Sequence, residues 1–181
     1  QTNHLEGLQD TLGVLGVMLK DAGRMAEALA YLTEQEQICR KIGNRNGLQC
    51  ALGDQANILF SQGRIQDSLR LHGEEEQICR ELNNLDGLQG ALGNKAVVLA
   101  ELGKADEAMA LYLEKEKICR QIHQVNGLVS ALANQAVIQV NQRGEREKAR
   151  TLVKEALQLA ADAGFTGRVQ QMRQFLAQLE K

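Results

Sequence analysis

The chain has 181 residues, a formal net charge of −2 at pH 7, 44% hydrophobic residues and only 3% aromatic residues. The near-neutral charge and the scarcity of aromatic side chains argue against binding to nucleic acid or to anionic membranes. No segment is apolar over the length of a membrane span, and residues 1–10 lack the apolar core of a signal peptide. We therefore expect a cytoplasmic protein.

The tripeptide Ile-Cys-Arg recurs at intervals of forty residues along the chain. Its three copies occupy residues 38–40, 78–80 and 118–120. The tripeptide Gly-Leu-Gln has the same period, and its copies occupy residues 7–9, 47–49 and 87–89, with Gly-Leu-Val at residues 127–129. A fixed period of this size indicates a repeat array in which each unit packs mainly on its neighbours.

Each unit is predicted to be an antiparallel helical hairpin. Apolar residues at helical spacing follow the Gly-Leu pair, and a glycine suited to the left-handed conformation ends the first helix. The hairpins are predicted at residues 6–42, 46–82, 86–122 and 126–163, and a ninth helix at residues 166–179. The ninth helix has one apolar stripe, as expected of a cap. The predicted fold is all-α, a single domain over residues 1–181 that forms a right-handed α-solenoid of four antiparallel hairpins plus a C-terminal capping helix.

Each of the later first helices is predicted to begin at a polar residue directly before the Gly-Leu pair. These predicted N-caps are Asn46, Asp86 and Asn126. Gln49 and Gln89 follow at the position of the reciprocal partner in a capping box. We therefore expect these side chains to bond the free backbone N–H groups at the helix starts.

The beginning of the chain resembles the interior of the array. Residues 3–9 align with residues 83–89, a stretch that normally follows the second helix of a preceding hairpin. The first helix is also unusually apolar, with Val14, Val17 and Met18 close together. We hypothesise that the chain is the C-terminal part of a longer array.

Three of the four cysteines, Cys39, Cys79 and Cys119, occupy equivalent positions in successive units. Equivalent atoms of neighbouring units are about 8–10 Å apart, whereas a disulfide requires Cα atoms closer than about 7 Å. We therefore expect reduced, buried cysteines, as in a cytosolic protein. No cysteine or histidine spacing suits zinc, and Cys50 carries no interpretable signal.

The sequence contains no pattern typical of catalysis. The three histidines are isolated from one another, at His4, His72 and His123. No phosphate-binding glycine loop and no nucleophile motif occurs. We therefore expect a protein that is not an enzyme and that binds no cofactor and no metal.

The hairpins resemble tetratricopeptide repeats, which have small residues where their two helices cross and a large residue further along the second helix. The positions that match the small residues of the first helix are Gly16, Ala56, Ala96 and Ala136. Those of the second helix are Ala28, Ser68, Ala108 and Ala149. The large positions are Leu32, His72, Tyr112 and Val153. The unit of forty residues is longer than the usual 34, and the common terminal proline is absent.

Two subclasses of this family share features with the chain. Leu92-Gly93-Asn94 resembles a motif of the forty-residue repeats of spindle-orientation adaptors. The Ile-Cys-Arg and Gly-Leu-Gln tripeptides resemble the near-identical repeat arrays of bacterial proteins, often at the C-terminal end of signalling ATPases. The second comparison matches more residues.

The resemblance implies that the first helices line a concave groove that binds a peptide or a helix from another protein. The positions it implies for the groove are Val14, Asp54, Asn94 and Asn134, then Val17, Asn57, Val97 and Val137, and then Lys20, Phe60, Ala100 and Val140. Asparagine amides there could pair with the backbone of an extended peptide, the valines and Phe60 would supply apolar contact, and Asp54 would favour a basic ligand. Alternatively, Asn94 and Asn134 only fix the stacking of the units. The basic residues of the family's carboxylate clamp are missing, so we expect no binding of peptides that end in acidic residues.

A second hypothesis makes the chain a structural or regulatory segment of a larger signalling protein. In that case the exposed apolar residues Val14, Val17 and Met18 would serve self-association, as a homodimer through the first hairpin. The first hypothesis predicts a monomer with an open groove. The second predicts a dimer that charged substitutions on the first helix abolish.

Overall fold

The computed structural model describes residues 2–180, with side chains from residue 4, so the two ends of the predicted domain 1–181 lie outside the described part. The described residues form nine α-helices and no strand. The helices are α1 (Thr2–Asp21), α2 (Met25–Ile42), α3 (Arg45–Ser61), α4 (Ile65–Glu81), α5 (Leu85–Glu101), α6 (Ala105–Gln121), α7 (Val125–Asn141), α8 (Arg146–Asp162) and α9 (Thr166–Leu179). The predicted all-α order of four hairpins and a final helix is confirmed. None of these helices is long and apolar enough to cross a membrane.

The helices belong to two compact units, residues 1–94 and residues 95–181, with the boundary inside α5. In the first unit α1 packs against α2, α3 packs against α4, and α2 also packs against α3. In the second unit α6 packs against α7, α7 against α8, and α8 against α9. In each unit one second helix therefore contacts the first helix of the next hairpin, namely α2 with α3 and α6 with α7. That the whole chain is a single domain stays a prediction.

Glycines in the left-handed conformation separate the two helices of the hairpins. Gly63, for example, has φ of 75° and follows α3, where an L-residue with a Cβ would be strained. The turns between hairpins also need positive φ, but only the first of them uses glycine. Asn83 and His123 occupy the equivalent positions with φ of 51° and 57°. Asparagine and histidine are among the non-glycine residues that tolerate this conformation best.

The predicted N-caps were wrong by two residues. The N–H of Gly47 donates to Oδ1 of Asn44 (2.9 Å), and the N–H of Gly87 donates to Oδ1 of Asn84 (3.0 Å). In the last hairpin the N–H of Gly127 donates to the side chain of Gln124. The residues predicted as caps, namely Asn46, Asp86 and Asn126, lie inside the first helical turn. In the second and third hairpins both positions carry cap-forming residue types, and the turn that precedes the helix decides which of them is the cap.

Replacing Asn44 with alanine is expected to lower the free energy of unfolding by about 1 kcal/mol, because the N–H of Gly47 loses its acceptor. Urea denaturation measures this loss. Asn46→Ala is the matched control, since Asn46 is exposed inside the helix, and it should change stability by no more than about 0.5 kcal/mol. Equal losses in both variants would restore the original assignment of the cap.

The positions assigned by resemblance to the helix crossings are buried. The small residues of this set are Gly16, Ala28, Ala56, Ser68, Ala96, Ala108, Ala136 and Ala149. The large residues that accompany them are Leu32, His72, Tyr112 and Val153, which are buried too. A Cβ built on Gly16 would lie 2.6 Å from Cγ of Leu32, so α1 and α2 approach too closely for a larger residue. These predictions of the core are confirmed.

The ninth helix covers apolar surface of the last hairpin. Met172 and Leu179 are buried in one cluster with Val153, Ala156 and Ala160 of α8. The cluster needs these contacts because α8 has no further hairpin beyond it among residues 2–180. The predicted role of α9 as a cap agrees with this packing.

Candidate functional site

A groove of about 600 Å³ opens in the first unit and is lined by residues of α1, α2 and α3. Helix α1 contributes the apolar side chains of Val14, Val17 and Met18. Cys50 and Asp54 of α3 lie among the other lining residues. The residues that the sequence assigned to self-association therefore share one groove with Asp54, which was assigned to peptide binding.

The apolar residues of this groove are unusually exposed. Val14 is 60% exposed and Met18 is 62% exposed, whereas Ile58, the equivalent of Met18 in the second hairpin, is 1% exposed. Ile58 is buried because it packs in a cluster with Ala28 and Leu32 of the preceding helix α2. The described part of the chain places no second helix against the corresponding face of α1. An apolar surface is therefore left available on the first hairpin.

Asp54 is not a free carboxylate. Its Oδ1 lies 2.5 Å from Nζ of Lys20 on α1, and both side chains are only about a quarter exposed. The sequence predicted that both residues line the groove but did not predict this ion pair. Lys20 neutralises much of the attraction that Asp54 was expected to exert on a basic ligand.

The other predicted groove residues are distributed over both units. In the first unit Asn57, Phe60 and Asn94 are half-buried. In the second unit Val97 and Asn134 are half-buried, and Val137 is exposed. Their common role in one groove stays a prediction.

The contacts of Asn134 bear on whether the predicted asparagines bind a ligand or only fix the stacking of the units. Its side chain makes no hydrogen bond to another residue of the described chain. The neighbouring Gln135 instead links two hairpins, because its Nε2 donates to Oε2 of Glu116 at 2.7 Å. Stacking of α7 on α6 therefore uses Gln135, and the amide of Asn134 remains available for a ligand.

Gln9 and Gln35 form a buried hydrogen-bonded pair beneath the groove that the sequence did not predict. Cys39 Sγ donates to Oε1 of Gln9 (3.2 Å), and Nε2 of Gln35 donates to the same oxygen (3.4 Å). Nε2 of Gln9 in turn donates to Oδ1 of Asp10 (2.5 Å). Oε1 of Gln35 is buried and has no hydrogen-bond partner among the described residues. One acceptor beneath the surface of the groove is therefore left without a hydrogen-bond donor among the described residues.

The sequence did contain a signal for Gln35. This position changes its charge from unit to unit beside the repeated Ile-Cys-Arg tripeptide, with the residues Gln35, Glu75 and Lys115. In the first two hairpins the side chain lies over a glycine of the first helix. A Cβ on Gly13 would lie 2.6 Å from Nε2 of Gln35, and one on Gly53 would lie 2.5 Å from Oε1 of Glu75. A side chain whose charge varies between units, next to a glycine that leaves room for it, is the sequence pattern that indicates this position.

The repeated cysteines are free, and Cys39 and Cys79 are buried donors rather than reactive thiols. Burial raises the pKa of Cys39 to about 11 and that of Cys79 to about 12. Both thiols therefore keep their proton at neutral pH, and Cys79 Sγ donates to Oε1 of Gln49 (2.6 Å). The repeat of cysteine with the Gly-Leu-Gln tripeptide reflects this contact. The expectation of free, buried cysteines is confirmed.

Stability is expected to fall as pH rises above about 9. An ordinary thiol, as in the unfolded chain, loses its proton near pH 8.5, whereas Cys39 and Cys79 keep theirs until about pH 11 and 12. The unfolded state therefore releases protons first, and the stabilisation is lost as pH rises towards the folded-state pKa values. Urea midpoints at pH 7, 9 and 10.5 measure the decline. Cys79→Ala should make the decline shallower, and an unchanged slope would contradict the assignment.

The arginines of the first and third repeated tripeptides, Arg40 and Arg120, link neighbouring hairpins. Arg40 pairs with Glu36 on its own helix (2.9 Å) and with Glu74 on α4 (2.7 Å). Arg120 likewise pairs with Glu116 and with Glu155 on α8. The pairs within a helix have the i, i+4 spacing that favours such contacts, whereas the pairs to the next hairpin join residues on different helices. Each exposed pair contributes about 0–1 kcal/mol, so these contacts fix geometry more than stability.

Comparisons with known proteins place the fold. No family model matches the sequence, and no curated protein matches it. Solved structures do match, among them a kinesin light chain with nearly identical tetratricopeptide-like repeats from Podosopora anserina. That match has a TM-score of 0.73 at 14% identity and covers 98% of this chain and 94% of the other. The chain has a tetratricopeptide-like repeat fold.

Two further structures with this fold belong to longer proteins. Aspartyl phosphate phosphatase F from Bacillus subtilis matches with a TM-score of 0.86 at 10% identity over 93% of this chain. A signal transduction ATPase with a tetratricopeptide repeat sensor, from Pyrococcus horikoshii, matches with a TM-score of 0.79 at 14% identity over 91% of this chain. The chain spans 44% of the phosphatase and 25% of the ATPase. The tetratricopeptide-like repeats therefore agree in fold with parts of larger proteins.

Proposed function

We propose that the chain is a non-enzymatic scaffold that binds a peptide or a helix of a partner protein in a groove lined by its first helices. The observation that carries the proposal is the groove of about 600 Å³ in which Val14 and Met18 remain largely exposed. Exposed apolar residues grouped in a concave surface are typical of a binding site for another polypeptide. The tetratricopeptide-like fold and the free amide of Asn134 agree with this role.

The proposal includes no catalysis, cofactor or metal. Cys39 and Cys79 are buried and keep their protons at neutral pH, so they are poor nucleophiles. The ring of His72 is buried, and its Nδ1 lies 2.8 Å from Oε2 of Glu75, which gives the histidine a structural role. The cytoplasmic location, the long-unit subclass and the origin in a longer array stay predictions.

Selection from a library of random twelve-residue peptides tests the proposal directly. The chain should recover peptides with dissociation constants in the micromolar range, as measured by fluorescence anisotropy. Val14→Glu should abolish their binding because it places a charge on the apolar wall. Leu113→Glu is the matched control, since Leu113 is 52% exposed on α6 and lies outside the groove. Failure to recover any peptide, or equal losses in both variants, would contradict the proposal.

Asn134→Ala separates ligand binding from stacking at the predicted asparagine positions. The amide has no partner in the described chain, so the variant should keep its melting temperature within about 2 °C. Peptides that reach α7 should bind several-fold more weakly to the variant. A lower melting temperature with unchanged affinity would assign Asn134 to stacking.

A second candidate is self-association within a larger signalling protein, supported by the same exposure of Val14 and Met18. The match to part of a signal transduction ATPase with a repeat sensor is compatible with such a regulatory segment. Light scattering across a concentration series distinguishes the candidates. A dimer that Met18→Glu abolishes would favour self-association, and a monomer would favour peptide binding.

A further inference from the structure

We propose that one face of α1 is the docking surface for the second helix of a preceding hairpin of the same polypeptide. This surface is called the stacking face. Its residues follow one another at helical spacing, and they are Gly7, Thr11, Leu15 and Met18. The inference goes beyond the proposed peptide groove, with which the stacking face shares only Met18.

The equivalent face of α3 is covered by α2. Leu15 is 38% exposed, whereas its equivalent Gln55 is 5% exposed. Met18 is 62% exposed, whereas its equivalent Ile58 is 1% exposed. Nε2 of Gln55 donates to the backbone oxygen of Leu32 on α2 (3.3 Å), so a direct contact covers this face. The same two positions are buried in α7, which packs against α6. A preceding second helix is therefore what covers this face elsewhere in the chain.

A glycine near the start of α3 leaves room for the preceding hairpin. A Cβ on Gly47 would lie 2.6 Å from Oε1 of Gln9 and 2.7 Å from Sγ of Cys39, which both belong to that hairpin. A Cβ on Gly87 would meet the equivalent glutamine and cysteine of its own preceding hairpin, at 2.7 and 3.0 Å. A Cβ on Gly7 would meet no atom within 4 Å. The space at Gly7 therefore fits a glutamine and a cysteine that the described residues do not supply.

A carboxylate of α2 indicates how the docked helix ends. Arg40 of the first Ile-Cys-Arg tripeptide pairs with Glu74 of the next second helix (2.7 Å), and Arg120 of the third pairs with Glu155 in the same way (2.5 Å). The equivalent of Glu74 in the first hairpin is Glu34, which is exposed and has no hydrogen-bond or ion-pair partner among the described residues. A preceding helix that ends in Ile-Cys-Arg supplies both an arginine for Glu34 and a cysteine for the first glycine of α1.

The packing of the other helices favours a preceding hairpin over a second copy of the chain. Helices α2, α6 and α8 already pack against α3, α7 and α9, so they are not available to another copy. Met172 and Leu179 of α9 are buried in one cluster with residues of α8. Within residues 2–180, the apolar surface is therefore covered at the last hairpin and uncovered at the first, as expected where further repeats precede it.

Adding one hairpin tests the stacking face. A copy of residues 43–82 placed directly before Asn3 keeps the period of forty residues, because residues 3–9 align with residues 83–89. Hydrogen peroxide oxidises exposed methionines, and peptide mass spectrometry gives the rate at Met18. This rate should fall about tenfold in the extended chain, because the added helix covers the side chain. The same copy placed after residue 181 is the matched control, and it should leave the rate unchanged.

Met18→Glu reports whether the added hairpin packs on this face. The substitution should lower the melting temperature of the extended chain by about 5 °C or more, because it buries a charge without a partner. It should lower that of the native chain by less than about 2 °C, because Met18 is exposed there. Unchanged oxidation of Met18 in the extended chain would overturn the inference, and so would equal effects of the substitution on both chains.

The protein isolated from its own source gives a readout that needs no added hairpin. Met18 should be protected there to the same degree as in the extended chain, and rapid oxidation would overturn the inference. A concentration-dependent dimer of the chain 1–181 that protects Met18 would also overturn it, because a second copy would then occupy the face.

Peptide binding is measured separately, so each proposal can fail without the other. Val14 and Val17 lie in the groove outside the stacking face, and their equivalents Asp54 and Asn57 remain partly exposed beneath a preceding helix. The extended chain should therefore still recover peptides from a random library. Recovery of peptides without protection of Met18 would leave the proposed function intact and overturn the docking surface.

Discussion

Replacing Leu32 with alanine is expected to lower the free energy of unfolding by about 3 kcal/mol. Leu32 is fully buried where α2 crosses α1, and it also packs against Ile58 of α3. Removing three carbons from such a site loses their burial and leaves a cavity that helix backbones cannot close. Leu113→Ala makes the same change at a half-exposed position, so it should cost less than about 1 kcal/mol.

At the same crossing of α1 and α2, the effect of Gly16→Ala on the free energy of unfolding is expected to change sign when Leu32 is replaced with alanine. Gly16→Ala alone should destabilise the chain by about 1 kcal/mol, since its Cβ would lie 2.6 Å from Cγ of Leu32. In the Leu32→Ala background the obstruction is gone, so Gly16→Ala should stabilise the helix by about 0.5–1 kcal/mol. Urea denaturation of the four proteins gives the coupling energy. If Gly16→Ala stabilises both backgrounds equally, the close crossing of α1 and α2 does not require glycine.

Substitutions of Gln49 and Cys79 are expected to have coupled effects on the free energy of unfolding, because the two side chains contact each other. Gln49→Val should cost about 2 kcal/mol, because it removes the acceptor of the Cys79 thiol and leaves a gap among buried residues. Cys79→Leu should cost a similar amount, because the larger side chain meets Oε1 of Gln49 and the backbone near Gly87. Both effects are measured as shifts of the urea midpoint at constant slope.

The double variant Gln49→Val with Cys79→Leu should cost at least 1 kcal/mol less than the sum of the single variants. The last hairpin of the chain already has apolar residues at both of these positions. The equivalent positions in the last hairpin are Val129 and Ala160, an apolar pair that packs in one cluster. Where the glutamine is absent, the cysteine is absent too. Strict additivity of the two substitutions would show that the repeated residues are independent.

The hairpins could be predicted because their signals are local. A period of forty residues and apolar residues at helical spacing determine where helices lie and which faces they bury. The helix starts were less well determined. Asn44 and Asn46 are both suitable caps by residue type, and only the path of the preceding turn chooses between them.

The groove could be predicted only in part. Val14 and Met18 stood out as apolar residues without a partner, and their exposure agrees with that interpretation. The ion pair between Lys20 and Asp54 was missed, because the two residues lie on different helices and neither repeats in later units. Gln35 was missed because its position depends on space left by Gly13 on another helix.

The sequence by itself determined the number of hairpins, their buried faces and the small residues at their crossings, since these depend on spacing along one helix and on its repetition. Only the tertiary structure decided which polar side chains are satisfied. Cys39, Gln9 and Gln35 come from α1 and α2, and their order of donors and acceptors exists only once the helices are packed. A buried carbonyl left without a hydrogen-bond donor is a property of that packing, and no spacing along a single helix indicates it.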